Sequence, residues 1–431
     1  MRHSRPHLTL TLAAALALPL TAPKASLEAS PLVSIGDSTD VFFSGSSSLR
    51  STSNVFRDED NEVSDLIWIL SPGFEVNVGR GLSNANLSLI TRYDIVRYED
   101  ESRLDTELFH IKAIGSYKTS RLDLSGSVSF DENKTSTGNE SLVRVQDLIE
   151  FDTTKANFNG EYRFSPKFSF GAGVRYSEKE YKTFQENFAD RETTSFPFDI
   201  FYELTPKVDL SVGYTYSNTD VDAVDARQDV IVVGGVLTLR KSQLGGYEQD
   251  SHFFNIGARG NLLPKLNGFF KIGYRARSTE DSTFTFTDTP LNGAPPSSGT
   301  RTINRDDTGM LGLDADLTWT ATPKVTAILG LSRDFGVGGE GQSTENTGID
   351  LRARYAINSQ FSASANFGYT LRDFTNDDRE DDRYNIGARL GYSLNQYWQF
   401  STGYTYTENS SDAPSRSYED HTIDLSVSLR Y

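Results

Sequence analysis

The stretch 423–431 reads IDLSVSLRY. Ile423, Leu425, Val427, Leu429 and Tyr431 are apolar, and Asp424, Ser426, Ser428 and Arg430 between them are polar. Strict period-two alternation presents two separate faces only in a β-strand. The chain as given ends there, on an aromatic ring. Such an ending is expected of an outer-membrane barrel, whose last strand pairs with the first and whose terminal aromatic enters the interfacial girdle. It also suits the last strand of a soluble sandwich, so the rest of the chain has to decide.

Working back along the chain, the same alternation recurs. Val208, Leu210, Val212, Tyr214 and Tyr216 oppose Asp209, Ser211, Gly213 and Thr215. Leu311, Leu313, Ala315, Leu317 and Trp319 oppose Asp314, Asp316 and Thr318. Ile349, Leu351, Ala353, Tyr355 and Ile357 oppose Asp350, Arg352 and Arg354. One face is lipid-compatible throughout. The other is too polar for a sandwich core, where unpaired polar groups are costly.

The connectors alternate in length. Short ones fall at 80–84, 118–121, 165–167, 205–207, 263–265, 322–324, 358–360 and 395–396. Four of them have the form Xaa-Pro-Lys, and proline presets a turn while being unable to sit in a central strand. Long connectors fall at 52–63, 99–104, 131–147, 180–192, 217–250, 278–303, 334–347, 373–383 and 408–418. The expected fold is therefore all-β, a transmembrane up-and-down antiparallel barrel of about 18 strands of ten or so residues, with short periplasmic turns and long extracellular loops. The first strand is placed at 41–49. Residues 230–239 could form a strand pair or a loop folded into the pore, which would plug it.

Composition agrees with a barrel. Hydrophobic residues make up 37% and aromatics 12%, lean for a soluble core but suited to a wall with one lipid-facing residue in two. No run beyond the N-terminus approaches the ~18–20 apolar residues of a spanning helix. The absence of cysteine removes disulfides, thiolate metal sites and a cysteine nucleophile. A formal charge of −17 is the wrong sign for a nucleic-acid partner. Arg2 and Arg5 ahead of the apolar run 8–20, with Ala22 and Ala25 as cleavage candidates, read 1–25 as a secretory signal. Residues 26–40 then form a short periplasmic lead-in and 41–431 the barrel, integral to the cell outer membrane of a Gram-negative-type cell.

The lumen face carries both signs of charge. Arg259, Lys271, Arg275, Arg277, Arg352, Arg354 and Arg389 face inward, together with Asp314, Asp316 and Asp350. Pairing that stiffens the wall is one reading. An anion track along 259–277 and 352–389 is the other, because charged rings set pore selectivity. Phe201 is the clearest lumen-facing ring. The acidic loops 57–62 and 376–382 lack the spaced ligands and glycine of a calcium loop and read as solvated. His110, His252 and His421 are the histidines beyond the leader, and none has the setting of a catalytic base. No phosphate loop, metalloprotease motif or dinucleotide fingerprint is present. The sequence thus points to no enzyme, cofactor or metal.

Ser53-Asn54-Val55-Phe56 after the opening strand, Ser71-Pro72-Gly73-Phe74-Glu75-Val76 in the second, and Tyr93 and Tyr98 in the third resemble the signature of the beta-barrel porin 2 family. Ser53 stands where that signature has aspartate. The resemblance spans nearly the whole mature chain. It implies an outer-membrane exit pore for exopolysaccharide, and no catalytic residues. The expected partners are outer-membrane lipid, polysaccharide and a periplasmic export lipoprotein. A general solute porin and a plugged structural or adhesive barrel are the alternatives.

Overall fold

The computed structural model describes residues 30–79, 84–136, 147–375 and 379–431. The proposed signal at 1–25 lies outside them. Among the described residues the only helix is a 3-10 turn at Ser102–Leu104, and no helix is long and apolar enough to cross a membrane.

Eighteen antiparallel strands close into one barrel. The first half comprises β2 (Thr39–Thr52), β3 (Asp65–Val78), β4 (Ala85–Tyr98), β5 (Thr106–Lys118), β6 (Leu122–Ser136), β7 (Leu148–Arg163), β8 (Phe168–Tyr181), β9 (Arg191–Thr205) and β10 (Val208–Val221). The second half comprises β13 (Tyr247–Leu263), β14 (Leu266–Thr279), β17 (Thr308–Thr322), β18 (Val325–Val337), β19 (Ser343–Ala356), β20 (Phe361–Phe374), β21 (Arg379–Ser393), β22 (Trp398–Ser411) and β23 (Tyr418–Arg430). Each pairs with the next, and β23 pairs with β2 from Ser44↔Arg430 to Thr52↔Thr422. Reciprocal backbone bonds between Phe43 and Tyr431, 2.6 and 2.8 Å, finish that seam. A three-residue strand, β1 (Val33–Ile35), folds back on the start of β2 within the expected lead-in.

The expected turn at 80–84 and loops at 131–147 and 373–383 lie partly outside the described residues; each of the other expected turns and loops falls between two of these strands. The strands themselves run 13 to 17 residues, longer than the ten or so expected. About 9–11 residues suffice to cross the hydrocarbon, so the ladders continue past the apolar band. The turns repeat a local device. At 165–167, 205–207 and 322–324 the Ser or Thr before the proline accepts the N–H of the lysine after it, at 3.3, 3.3 and 3.2 Å. Leu263 has no hydroxyl to offer, and there Lys265 takes a positive φ of 69°.

The loop between β10 and β13 is the strand pair rather than the plug. β11 (Arg227–Val233) and β12 (Val236–Leu244) form a hairpin. The next long loop carries a second hairpin not foreseen above, β15 (Ser282–Pro290) and β16 (Ser297–Ile303). β12 pairs with β15, and the four strands make a separate extracellular sheet that has no extended contact with the barrel wall. The Thr-Phe-Thr-Phe-Thr alternation at 283–287 was the available signal.

Among the described residues there is no central apolar core. The apolar face points outward, with Val212, Ile256, Phe254 and Leu311 each more than half exposed. Three small clusters of buried apolar side chains lie at the long-loop end, Phe56, Leu104 and Leu148; Ile149, Tyr181 and Phe188; Ala189, Val221, Val224 and Tyr247, while other buried rings, such as Phe42, Phe201 and Phe253, stand alone on the strands. The segment 376–382, expected as a solvated loop, is different in its second half. Residues 376–378 lie outside the described residues, but Arg379 and Asp381 open β21 as a buried ion pair at 2.5 Å. Arg379 also covers the Phe374 ring at 4.2 Å, so ladder formation and stacking draw these charges inward.

Candidate functional site in the barrel lumen

Ion pairs between strands that are not neighbours fix which face is the lumen, because such pairs can close only through the interior. Arg259 on β13 binds Glu161 on β7 through two bonds of 2.7 Å. Between them lie four inter-strand steps, about 19 Å along the wall at about 4.8 Å per step. Two side chains meet across that arc only if the wall curves tightly there. Arg259 also binds Asp209 at 3.0 Å. Lys271 on β14 reaches Asp199 on β9 at 2.7 Å, and Arg430 on β23 reaches Glu75 on β3 at 2.9 Å.

The remaining expected residues divide by partner. Arg277 donates to the Thr344 carbonyl at 3.3 Å and to Thr375 Oγ1 at 3.0 Å. Arg352 pairs with Asp350 along β19 at 2.8 Å. Arg389 donates to Ser401 Oγ at 3.0 Å, and Arg354 shares the face of Arg352. Asp316 lies opposite Phe269 in the ladder. Asp314 and Arg275 line one cavity of about 540 Å³, enclosed by β8, β9, β10, β13, β14, β17 and β18. Arg259 and Lys271 are therefore neutralised by carboxylates, and Arg277 is held by neutral acceptors.

Phe201 was expected on the lumen face; Phe42 and Phe335 were not. Phe42, Phe201, Phe253 and Phe335 each lie beneath a guanidinium: Arg430 at 3.7 Å, Arg259 at 3.4 Å, Arg275 at 3.8 Å and Arg277 at 4.5 Å. Stacking on a ring holds an arginine by cation–π attraction. The Phe-Phe doublets at 42–43 and 253–254 were the signal, since adjacent strand residues take opposite faces.

At the extracellular mouth, loops from separate hairpins meet. Tyr247 Oη donates to the Gly341 carbonyl at 2.8 Å. The Ala189 amide donates to the Gly339 carbonyl at 2.9 Å. Asp190, in the same loop, accepts the Tyr181 amide at 2.6 Å. Burial, with Glu180 and Asp222 nearby, raises its carboxyl above the usual range.

The sequence model of the family described as "Putative beta-barrel porin 2" matches residues 44–295 and 305–431. The chain belongs to this family. No curated relative matches by sequence. Among solved structures, the ferric-catecholate import receptor Fiu of E. coli K12 is similar at 9% identity, over 94% of this chain and 82% of that one, with a TM-score of 0.41. OpdK of Pseudomonas aeruginosa is similar at 10% identity, over 91% of this chain and 99% of that one, with a TM-score of 0.38.

In this beta-barrel porin 2 chain the first signature segment, 53–56, sits beside the barrel seam. Asn54 is fully buried and donates to the carbonyls of Asp58 and Glu419 at 2.8 and 3.0 Å. Thr52 Oγ1 donates to Asp420 at 2.7 Å, and the His421 amide donates to Ser53 Oγ at 2.8 Å. Phe56 anchors one apolar cluster, against which Tyr98 packs. Pro72, with no N–H, sits where the β3–β4 ladder breaks between Leu70↔Ile95 and Gly73↔Arg92. The histidines have structural settings. His252 and His421 lie on the outward face, with Tyr214 Oη and Tyr404 Oη at 2.8 Å from their Nδ1 atoms. His110 lies between Asp131 at 2.9 Å and Asp94 at 3.2 Å.

Proposed function

We propose that this outer-membrane barrel is a passive conduit, and that its cargo is a secreted polysaccharide. The observation that carries the reading is a closed wall whose inner face is hydroxyls, amides and charges mostly satisfied by one another. Such a lining offers a hydrated polymer many weak contacts and few strong ones, which is what passage requires. Membership in the beta-barrel porin 2 family supports a pore. In this reading polysaccharide and a periplasmic export lipoprotein are the partners. The loop 222–246 supports an unplugged lumen, because its hairpin stands in the extracellular sheet.

The charged lumen face, with the Arg259–Glu161 pair on it, favours a second reading, a general porin for small solutes. Two measurements separate them. Under the first reading, deleting the gene abolishes polymer at the cell surface. Normal secretion from the deletion strain, together with free passage of small sugars into liposomes holding the purified protein, would establish the second.

A further inference from the structure

We propose that the 540 Å³ lumen cavity is a binding station for a carboxylate-bearing sugar unit, with Arg175 and Arg275 on its carboxylate. The proposal rests on the pore reading and adds the class of cargo. The volume falls in the range of about 300–1,000 Å³ typical of small-molecule sites.

The decisive feature is an imbalance of partners. Arg259 and Lys271 close by are each neutralised by carboxylates. Arg175 and Arg275 line the cavity and make no hydrogen bond and no ion pair with any described residue. Arg275 Nε is buried without an acceptor, a costly state for a charged donor. The residue is nonetheless held in place. Its guanidinium lies 3.8 Å over the Phe253 ring, and Gly312 leaves the room. A Cβ at 312 would come within 2.6 Å of both Arg275 Cγ and the Phe253 ring edge. A planar donor fork fixed in this way suits a carboxylate.

The rest of the lining selects what carries that carboxylate. Four serines and three threonines face the cavity. Asp314 and Asp334 line it too, and carboxyl oxygens accept hydrogen bonds from sugar hydroxyls. A neutral sugar would leave both arginines unpaired. A monoanion rich in hydroxyls satisfies both sets at once.

The test is titration calorimetry on the purified, detergent-folded chain with trigalacturonate, against maltotriose as the neutral control. We expect saturable binding of trigalacturonate at least about tenfold tighter than maltotriose, with Arg175→Gln and Arg275→Gln each weakening it about tenfold. Gly312→Ala, which leaves every charge in place, should also weaken it by displacing the stack. Arg275→Lys, which keeps the charge and loses the fork, should restore only part. Heat-modifiable gel migration checks that each variant is folded. Equal affinity for the two sugars, or undiminished binding by folded R175Q and R275Q, would overturn the proposal. Single-channel current separates it from the pore reading. Binding without current sinks the conduit and keeps the station; current without binding does the reverse.

Discussion

The Arg259–Glu161 pair gives the sharpest quantitative prediction. Arg259 and Glu161 meet through two bonds of 2.7 Å, with side chains 29% and 27% exposed. Charge centres about 4 Å apart at an effective dielectric of about 20 attract by about 4 kcal/mol. Desolvation and side-chain ordering offset much of that, leaving a net coupling of about 1–2 kcal/mol, above the ~0.2–1 kcal/mol of an exposed pair. A cycle of Glu161→Gln, Arg259→Gln and the double variant isolates this term. The contact of Arg259 with Asp209 is lost in both backgrounds and cancels. The assay is guanidinium unfolding of the refolded chain in lipid vesicles, with single-channel conductance measured in parallel. Either single variant should also free this arc of the wall and raise conductance. A coupling below about 0.5 kcal/mol, with conductance unchanged, would show that this pair does not hold the wall in.

Three further outcomes follow from other parts of the structure. Asn54→Ala leaves the Asp58 amide and the Glu419 carbonyl without partners and should cost about 2–3 kcal/mol, read as a lower unfolding midpoint; an unchanged midpoint would remove the seam role. Asp190 has a raised carboxyl, so the loop contact at the mouth is firmest below the ordinary carboxylate range and weakens as pH rises through the raised value. Asp190→Asn should therefore slow amide exchange around 188–190 at pH 7 and flatten its pH dependence. The Arg240 guanidinium, two bonds of 2.7 Å away, holds Asp288 below the usual range. Its stabilisation is present above that range and is lost as pH falls through the depressed value. Asp288→Asn should speed proteolysis within 222–307 at pH 7, and equal cleavage rates would contradict the idea.

The wall was largely legible in the sequence because a membrane barrel writes its geometry locally. Period-two alternation sets the faces, and Xaa-Pro-Lys turns and acidic loops set the two ends. What stayed hidden is non-local. Nothing around Arg259 announces that its partner is Glu161, 98 residues away, while Arg275 on the next strand has none. A lumen charge is therefore readable as a charge, but its neutralisation depends on curvature. The hairpin β15–β16 was missed for a related reason. Its alternation was visible, but its strands are stabilised by β12 rather than by the barrel.

That extracellular sheet constrains how the chain reaches its final form. β12 and β15 belong to loops separated by the β13–β14 hairpin, so they can meet only after both loops have emerged on the far side. An isolated two-stranded hairpin is marginal in water. Each half therefore crosses as a thin, pliable thread and stiffens on finding the other. Resistance of 222–307 to an external protease should appear late, and would serve as a clock for completed insertion.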